Sequence, residues 1–405
     1  MAVVVQKYGG TSVADIARIR HVAARLVRAK DEGHDVVAVV SAMGDVTDEL
    51  LEMARQLTDR PSRRELDMLL ATGEQVSSAL LALAINSLGY RAVALTGGQG
   101  GIITDGGFTR ARILKVDPAR IREEMARGNI VVVAGFQGVG PGNDITTLGR
   151  GGSDATAVAL AAALGAPVCD ICTDVDGVYT ADPRVVRNAR KLPVISYEEM
   201  MELAYVGARV LQARAVEMAS QQRVVIHLRS SFSDGPGTLV KEVPAVENAK
   251  PVVGVVHDPD VARVTLLSVP DRPGVAHRIF YALAEAGINV DMIVQSTRHE
   301  ASTDVLFTVS RADLMQAMEI VQAVGRELGA GGCVFDAGVG KVSIVGSGMA
   351  THPGVAARMF GALARNGINI QVISTSEIRI SCLIDAADLE RAVTALHDEF
   401  ELGLG

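Results

Sequence analysis

The sequence predicts an α/β fold in which a parallel-rich sheet with helices on both faces is followed by a smaller, duplicated module. Over about the first 240 residues, short β-branched runs alternate with long amphipathic stretches. The runs are apolar almost throughout, as strands are when both faces of their sheet are covered. Beyond that part, one stretch of seventeen residues occurs twice, eighty positions apart.

The elements of the first part follow from that alternation. Five apolar runs are predicted strands: Val3–Gln6, Val36–Val40, Ala92–Leu95, Ile130–Ala134 and Val168–Thr173. Six stretches with helical spacing are predicted helices: Ala14–Asp31, Asp48–Leu57, Arg63–Leu88, Pro118–Arg127, Asp154–Leu164 and Glu198–Gln222.

Composition argues against some classes of function. The 405 residues carry a net charge of −8 with both signs mixed along the chain, so a nucleic-acid partner is not expected. No apolar run reaches the ~18 residues of a membrane span. The N-terminal apolar run lacks the basic flank and the cleavage site of a signal peptide. We therefore expect a cytoplasmic protein.

Cys169 and Cys172 form a C-x-x-C motif, which is compatible with a metal or redox site and with two core cysteines. The motif lies in a predicted buried strand, where residues three apart point to opposite faces. No second Cys/His pair with zinc spacing follows it. We therefore interpret both as core cysteines.

A turn signal and an internal repeat mark the second part of the chain. The turn signal at Ser233–Thr238 and the mixed-charge stretch Val243–Pro251 place a domain boundary near residues 245–250. Beyond it, Pro273–Asn289 recurs as Pro353–Asn369 with 12 of 17 positions identical.

Each copy of the repeat predicts a βαββα-like unit. The further elements around the two copies are strands Val264–Val269, Val290–Val294 and Asp304–Val309 with helix Asp313–Val324, and strands Val342–Val345, Ile370–Ser374 and Arg379–Ile384 with helix Ala387–Phe400. The Pro-Gly of each copy suits a helix start whose free amides meet a carboxylate. A ligand-binding module and a module that only packs and dimerises are both compatible with this pattern.

Lys7–Ser12 is the first segment that could carry chemistry. It joins a predicted strand to a helix that Thr11 or Ser12 would cap. Its glycines would bring backbone N–H groups close to an anion, and Lys7 is placed to neutralise a transferring phosphoryl group. The segment is not a P-loop, because the sequence has no G-x-x-x-x-G-K-[ST] motif. A turn without a ligand is the alternative.

Leu148–Asp154 is the second such segment. It combines glycines with Arg150, whose guanidinium can clamp a carboxylate through two bonds, and with Ser153 and Asp154 at a helix start. Asp154 alone is compatible with a helix cap, but a cap does not require the Arg-Gly-Gly before it.

Thr173–Arg184 is the third. It leaves the carboxyl end of a predicted strand, where open α/β sheets bind ligands. Its acidic residues are compatible with Asx turns. Their density, together with Tyr179 and Arg184, favours a nucleotide pocket.

These segments, with Ser41–Gly44, resemble the motifs of the amino-acid kinase family, and of its aspartokinase branch in particular. The repeat resembles a pair of ACT domains, the amino-acid-sensing modules of biosynthetic enzymes. The resemblance implies an α/β fold with a three-layer αβα sandwich over residues 1–245, followed by two ferredoxin-like βαββαβ ACT domains at 262–335 and 340–405. It also implies ATP and Mg²⁺.

The resemblance assigns roles to individual residues. Lys7 would stabilise the phosphoryl group, and Asp154 would orient Lys7 and groups of the substrate. The implied aspartate contacts are Ser41, Thr47, Glu74, Arg150, Gly151, Gly152 and Ser153. The implied nucleotide contacts are Lys7, Tyr8, Gly9, Gly10, Thr173, Asp174, Tyr179, Asp182 and Arg184. Arg209 stands where relatives use a nucleotide-binding Lys, and no residue is assigned as a direct metal ligand.

The implied effector contacts lie in the repeat. They are Asp271, Gly274, Asn289, Asp291 and Gln295 in the first copy and Val355, Asn369, Ile370, Ser376 and Glu377 in the second. Because Asp291 is acidic and its equivalent Gln371 is not, the two copies are expected to serve different partners.

The function implied by the resemblance is the ATP-dependent phosphorylation of the side-chain carboxylate of L-aspartate, inhibited by lysine, threonine or both through the ACT pair. This carboxylate is ionised at pH 7, so no general base is required. Glu74, Arg150 and the ACT pair disfavour another amino-acid kinase, and intact Lys7, Arg150 and Asp154 disfavour a non-catalytic amino-acid sensor. A homo-oligomer through the ACT domains is expected, with or without a shorter regulatory chain from an internal start.

Overall fold

The computed structural model describes residues 2–208, 210–243, 250–297 and 302–404. By its internal contacts the chain divides into two units. Unit 1 contains Met1–Val178, Lys191–Ala204 and Arg209–Ala245, and unit 2 contains Tyr179–Arg190, Tyr205–Ala208 and Val246–Gly405. Arg209 and most of the predicted boundary at 245–250 lie outside the described residues.

Strands and helices alternate through the first 240 residues. In chain order they are β1 (Val3–Tyr8), α1 (Ile16–Asp31), β2 (Asp35–Val40), α2 (Val46–Leu57), α3 (Arg63–Ser87), β3 (Ala92–Leu95), β4 (Ile102–Thr104), β5 (Ile113–Val116), α4 (Ala119–Ala126), β6 (Ile130–Ala134), β7 (Gln137–Val139), β8 (Ile145–Thr147), α5 (Gly152–Leu164), β9 (Val168–Thr173), β10 (Val194–Ile195), α6 (Tyr197–Tyr205), α7 (Ala213–Gln222), β11 (Val225–Ser230) and β12 (Thr238–Val240).

The central sheet of unit 1 orders its strands as β10-β12-β11-β9-β1-β2-β6-β3. β1 pairs in parallel with β2 on one side and with β9 on the other. The pairs β9–β11, β2–β6 and β6–β3 are also parallel, whereas β12 runs antiparallel to β11. The predicted parallel-rich sheet is confirmed. Every residue of β6 is buried, which explains why its sequence is apolar throughout.

Helices cover both faces of this sheet. On one face, α1 and α3 pack against β1, β2 and β6 in an aliphatic core that includes Ile19, Leu26, Leu81 and Val132. On the other face, α5 packs on β1, β2 and β9 and contacts α7. Since α5 is rich in alanine, its backbone lies close to the sheet. The predicted three αβα layers are therefore confirmed.

A second sheet of unit 1, ordered β5-β4-β7-β8, is not predicted from the sequence. Its strands have three or four residues each, too few for a periodic pattern to be recognised. β8 packs against α3 and leads directly into the loop that carries Arg150. This sheet therefore helps to place that loop.

Two helix predictions are wrong. The predicted single helix Glu198–Gln222 is two helices, because α6 ends at Tyr205 and α7 begins only at Ala213. Thr11 and Ser12 do not cap α1. Gly10–Val13 forms a short 3₁₀ turn, and the Asp15 carboxylate caps α1 by accepting the Arg18 N–H at 2.8 Å.

The interpretation of Cys169 and Cys172 as core cysteines is confirmed. Both are fully buried on β9 and neither forms a disulfide. Burial raises the pKa of the Cys172 thiol to about 12, which keeps it protonated and unreactive at neutral pH.

Unit 2 contains the duplicated modules. Its elements in chain order are β13 (Gly254–Asp258), β14 (Ala262–Pro270), α8 (Val275–Glu285), β15 (Ile293–Thr297), β16 (Ser302–Val309), α9 (Leu314–Leu328), β17 (Gly332–Asp336), β18 (Val339–Val345), α10 (Val355–Arg365), β19 (Val372–Thr375), β20 (Arg379–Asp385) and α11 (Leu389–Glu399).

Each module is a four-stranded antiparallel sheet with two helices. The first module, β14 to β17, has the strand order β15-β16-β14-β17 and the βαββαβ succession of a ferredoxin-like fold. The second module has the order β13-β18-β20-β19, so its fourth strand is β13, which precedes the first module. The predicted bounds 340–405 omit this strand. The sequence does not reveal it, because a five-residue strand that pairs Gly254 with Val345 leaves no local signal.

Among the described residues one helix, α3, is long and apolar enough to cross a membrane by length and composition. It is a core helix of unit 1, packed against α1, α2 and β3. It also carries two buried carboxylates, Asp67 and Glu74, each at most 3% exposed. Charged groups at such positions are costly in a lipid-facing helix.

Candidate active site

The carboxyl ends of β1, β2 and β9 meet at one edge of the central sheet of unit 1. The Gly9 N–H donates to the Cys172 carbonyl at 3.2 Å, and the Ser41 N–H donates to the Tyr8 carbonyl at 3.1 Å. Three of the segments singled out in the sequence therefore leave the sheet side by side. This is the edge at which open α/β sheets bind ligands.

Lys7 and Asp154 form an ion pair at this edge, with 2.6 Å between Lys7 Nζ and Asp154 Oδ1. The two side chains are only 11% and 8% exposed. Lys7 lies near the end of β1 and Asp154 lies in the first turn of α5, so the pair joins the sheet to the helix start. Since water is largely excluded, the ammonium group is held in one place and acts strongly on a nearby anion.

The glycines before Asp154 are required by close packing. Gly151 has φ of +70°, and a Cβ there would lie 2.1 Å from Gln212 Cγ at the start of α7. A Cβ at Gly152 would lie 2.9 Å from Leu148 Cβ. Gly151 occupies the N-cap position of α5, and no side chain caps the helix. The cap alternative for Asp154 is therefore wrong.

Arg150 precedes Gly151 and is exposed. Within the described residues its guanidinium forms no ion pair with a carboxylate of the protein. It is therefore available to clamp a carboxylate of a ligand through two parallel hydrogen bonds.

Glu74 lies on α3 and is 3% exposed. Its Oε1 accepts the Ala42 N–H at 3.1 Å, whereas its Oε2 has no hydrogen-bond partner among the described residues. Burial raises the pKa of Glu74 to about 7. A buried acceptor without a partner is unfavourable, and a ligand ammonium group would satisfy it.

Ser41 and Thr47 lie on the segment that faces Glu74. Ser41 follows β2, and its carbonyl accepts the Ser77 hydroxyl of α3 at 2.7 Å. Thr47 is half-buried in the first turn of α2. A Cβ at Gly73 would lie 2.8 Å from Ala42 Cβ, so glycine allows α3 to approach this segment closely.

Two of the predicted nucleotide contacts in unit 1, Thr173 and Asp174, lie at the same edge of the sheet. For Tyr8, a contact through its side chain needs correction. Thr173 Oγ1 donates to Asp174 Oδ1 at 3.0 Å. The Tyr8 side chain is fully buried, and its hydroxyl donates to Gln6 Oε1 at 3.1 Å. Because successive residues of β1 face opposite sides, Lys7 points to the site and Tyr8 to the core. Only the Tyr8 backbone is left for a ligand.

The other three predicted nucleotide contacts, Tyr179, Asp182 and Arg184, belong to unit 2. They are therefore separate from the residues of unit 1. Asp182 and Arg184 form an ion pair of 2.7 Å, which holds the pKa of the Asp182 carboxyl below its ordinary value. Beside them the Thr180 carbonyl accepts the Val255 N–H at 2.8 Å. Part of the third segment is thus folded with the strand β13.

The predicted effector residues lie in unit 2, around the start of each module's first helix and around the strand that follows it. In the first module, α8 is preceded by Asp271 and Gly274, and β15 is preceded by Asn289 and Asp291 and contains Gln295. In the second module, α10 begins with Val355, β19 is preceded by Asn369 and Ile370, and the turn before β20 contains Ser376 and Glu377. Val355 needs correction. Its side chain is 5% exposed in the core of the second module, which leaves only its backbone to a ligand.

The residues of this edge fit a metal ion carried by a nucleotide. Among the described residues, no group of three or more His, Cys, Asp or Glu side chains could hold a metal ion. In phosphoryl-transfer sites Mg²⁺ keeps several waters and is held by substrate phosphates with one or two carboxylates. Asp174 is exposed at the end of β9 and is a suitable donor.

Comparison with known proteins agrees with this description. The model of the amino acid kinase family matches residues 2–230, and models of the ACT domain match residues 263–326 and 342–400. The aspartokinase of Mycolicibacterium smegmatis is 54% identical over 100% of this chain and 97% of that protein.

Solved structures agree as well. The chain superposes on E. coli aspartokinase III in complex with aspartate and ADP (R-state) with a TM-score of 0.77 at 27% identity, covering 98% of this chain and 99% of that one. For the complex of the same enzyme with lysine and aspartate (T-state), the TM-score is 0.76 at 26% identity, with 98% and 99% covered.

Fold and site together define a phosphotransferase of the amino-acid kinase class with an attached pair of sensing modules. The full-length identity above one half narrows the class further. The chain belongs to the aspartokinase family.

Proposed function

We propose that this chain transfers the γ-phosphoryl group of ATP to the side-chain carboxylate of L-aspartate, giving 4-phospho-L-aspartate and ADP, with Lys7, Asp154, Arg150 and Glu74 as its central residues. The observation that carries the assignment of the site is the buried 2.6 Å ion pair between Lys7 and Asp154 at the carboxyl edge of the sheet. The aspartate kinase activity itself comes with the family.

Lys7 acts on the phosphoryl group. Attack of a carboxylate on a γ-phosphate brings two anions together, so the barrier is mainly electrostatic and positional. An ammonium group that Asp154 already holds stabilises the charge on the equatorial oxygens without reorganising. The attacking carboxylate is ionised at neutral pH and needs no base.

Arg150 and Glu74 recognise the charged ends of aspartate. Arg150 clamps a carboxylate, and the unpartnered Glu74 Oε2 accepts a hydrogen bond from the α-ammonium group. Ser41 and Thr47 lie on the segment that Glu74 contacts through the Ala42 N–H. The α-ammonium group and one of the two carboxylates of aspartate are thereby recognised in unit 1.

The nucleotide binds along the ends of β1 and β9. Gly9, Gly10, Thr173 and Asp174 border the phosphates. Asp174, together with the phosphates, would hold a bound Mg²⁺, which would supply neutralising charge there. Tyr179, Asp182 and Arg184 are proposed contacts for the remainder of the nucleotide.

The ACT pair regulates the enzyme. Lysine, threonine or both bind at the helix starts and following strands of the modules and shift the enzyme toward a less active state, which requires that they bind that state more tightly. A cytoplasmic homo-oligomer that associates through the modules stays part of this proposal. Light scattering of the purified chain, with and without effectors, measures the association.

ADP release with Mg-ATP and L-aspartate tests the proposal. Turnover with aspartate, little turnover with L-glutamate, and a lower rate after addition of lysine and threonine are expected. A folded chain that binds lysine or threonine but does not turn over aspartate would instead be a non-catalytic amino-acid sensor.

A further inference from the structure

Asp67 of α3 is completely buried and holds two separate loop segments. Its Oδ1 accepts the Thr147 hydroxyl at 2.6 Å, and its Oδ2 accepts the Thr147 N–H at 2.8 Å. The Thr109 N–H, at 3.0 and 2.9 Å from the two oxygens, is shared between them. Thr147 is the last residue of β8, three positions before Arg150. The carboxylate is therefore satisfied entirely by groups that fix the start of the Arg150 loop.

Arg214 of α7 holds the same two segments from another helix. Its Nη1 donates to the Leu148 carbonyl at 2.7 Å, and its Nη2 donates to the Ala111 carbonyl at 2.8 Å. The Ala111 N–H in turn donates to the Thr147 carbonyl at 2.9 Å. The Asp67 carboxylate on α3 and the Arg214 guanidinium on α7 thus hold residues 147–148 and 109–111 together as a clamp.

The backbone around this clamp is strained. Thr109 has φ of +69° and Phe136, whose carbonyl accepts the Leu148 N–H at 2.8 Å, has φ of +66°. Left-handed conformations of such residues are unfavourable and persist only where the surroundings impose them. Hydrogen bonds to buried groups on both sides of the loop supply that constraint.

Asp67 also lies on the helix that carries Glu74. Residues seven apart on a helix lie two turns apart on nearly the same face. One rigid helix therefore sets both the place of the Glu74 carboxylate and the start of the loop that carries Arg150. The relative place of these two charges decides how well they hold the ammonium group and a carboxylate of the same amino acid.

We infer that Asp67 and Arg214 are positioning residues: by fixing Thr147 and Leu148 they set the place of the Arg150 guanidinium relative to Glu74, and with it the binding of aspartate. The inference rests on the proposed roles of Arg150 and Glu74. Neither Asp67 nor Arg214 touches the substrate in this account.

Steady-state kinetics of Asp67→Asn and Thr147→Val test the inference, with Asp117→Asn as the matched control. Asp117 is an exposed carboxylate of unit 1 that also accepts a backbone N–H. Misplacement of a binding group raises KM for aspartate roughly tenfold in Asp67→Asn and leaves KM for ATP within about twofold. Thr147→Val removes a single hydroxyl, so a smaller increase in KM for aspartate is expected. This variant tests the inference if Asp67→Asn does not fold.

Arg214→Lys and Arg214→Met provide a graded series. A lysine reaches one of the two carbonyls and a methionine reaches neither, so KM for aspartate increases from Arg to Lys to Met. Equal changes in KM for aspartate and ATP, or a lower melting temperature with an unchanged KM for aspartate, would show that the clamp only stabilises the fold.

A double-mutant cycle with Arg150→Ala separates this inference from the function on which it rests. If Asp67 acts through Arg150, Asp67→Asn changes kcat/KM for aspartate much less in the Arg150→Ala background. Additive effects overturn the positioning role alone. An unchanged KM for aspartate in Arg150→Ala overturns the proposed role of Arg150 and, with it, this route of positioning.

Discussion

Lys341 of the second module forms an ion pair with Asp291 of the first, and the lysine side chain is only 3% exposed. A second contact runs from the first module to the second. Arg263 on β14, the strand equivalent to β18, donates from Nη1 to the Gln371 side-chain oxygen at 2.7 Å. The two copies of the repeat therefore hold each other reciprocally through the residue that follows Gly-Ile-Asn by two positions. An apolar cluster that includes Met292, Val339 and Val372 lies between the same modules.

Loss of Asp291 is expected to destabilise unit 2 more than loss of Lys341. Asp291→Asn leaves the buried ammonium group of Lys341 without a counter-charge, which costs about 3 kcal/mol. Lys341→Met removes the buried charge itself and costs less. Denaturant unfolding of both variants and of the double variant measures the difference. A double variant that is less stable than Asp291→Asn would contradict the explanation by an unpaired buried charge.

Asn369→Ala is expected to relieve feedback inhibition and to leave the uninhibited rate near normal. Asn369 is exposed between α10 and β19, where the proposed effector site of the second module lies. Asn289→Ala, at the equivalent position of the first module, is the matched variant. Rate measurements over a range of lysine and threonine concentrations show which module each effector uses. A loss of the uninhibited rate in Asn369→Ala would count against a purely regulatory role.

Lys7→Met is expected to lower kcat by about 10²–10³-fold, the usual effect of removing one preorganised group that stabilises the transition state. Asp154→Asn keeps Lys7 but loosens its position, so a smaller decrease is expected. Lys115→Met, on the exposed face of β5, is the control and should retain the parental rate. A normal kcat in Lys7→Met would show that Lys7 does not stabilise the transition state.

The activity of the free enzyme should depend on the ionisation of Glu74. Because its pKa is about 7, the carboxylate that binds the substrate ammonium is half formed at neutral pH. The value of kcat/KM for aspartate is expected to increase as pH rises through 7 and then to level off. Glu74→Gln should lower this value and remove the increase. A parent and a variant with the same profile would refute the assignment.

The same carboxylate should weaken the fold at alkaline pH. Folding raises the pKa of Glu74 from 4.5 to about 7, so the folded state binds the proton more tightly than the unfolded state. The stabilisation from this proton is present below pH 4.5 and is lost as pH rises through 7. Glu74→Gln is therefore expected to be more stable than the parent above pH 7, by on the order of 3 kcal/mol.

Thermal unfolding at several pH values measures the effect. Glu52→Gln, on the exposed surface of α2, should show no such gain. An equal gain of stability at pH 5 and pH 9 would show that the variant acts through packing and not through ionisation.

Much of the fold follows from patterns within short segments. The apolar run of β6 predicts a buried strand because both faces of that strand are covered. The glycines before Asp154 mark a segment that could carry chemistry, and the structure shows why Gly151 is required, since Gln212 leaves no room for a Cβ there. Most of the candidate site could be assembled from such segments because those after β1, β2 and β9 begin at the carboxyl ends of parallel strands, whereas the Arg150 segment follows β8 of the second sheet.

Other features depend on which distant segments meet. The sequence around Tyr8 suggests a ligand contact, but the alternation of β1 turns its side chain into the core. Asp67 looks like any polar residue of a long helix, and its role becomes visible only because Thr109 and Thr147 meet at its carboxylate.

The sequence by itself determined the class of fold, the repeat and the segments that carry chemistry, because hydrophobic period, glycine and charge act over a few neighbouring residues. Only the tertiary structure decided that β13 completes the second module, that Lys341 meets Asp291, and that α3 holds both Glu74 and the Arg150 loop. The physical reason is that pairing and burial of distant segments are set by the packing of the whole chain, of which a local pattern carries no record.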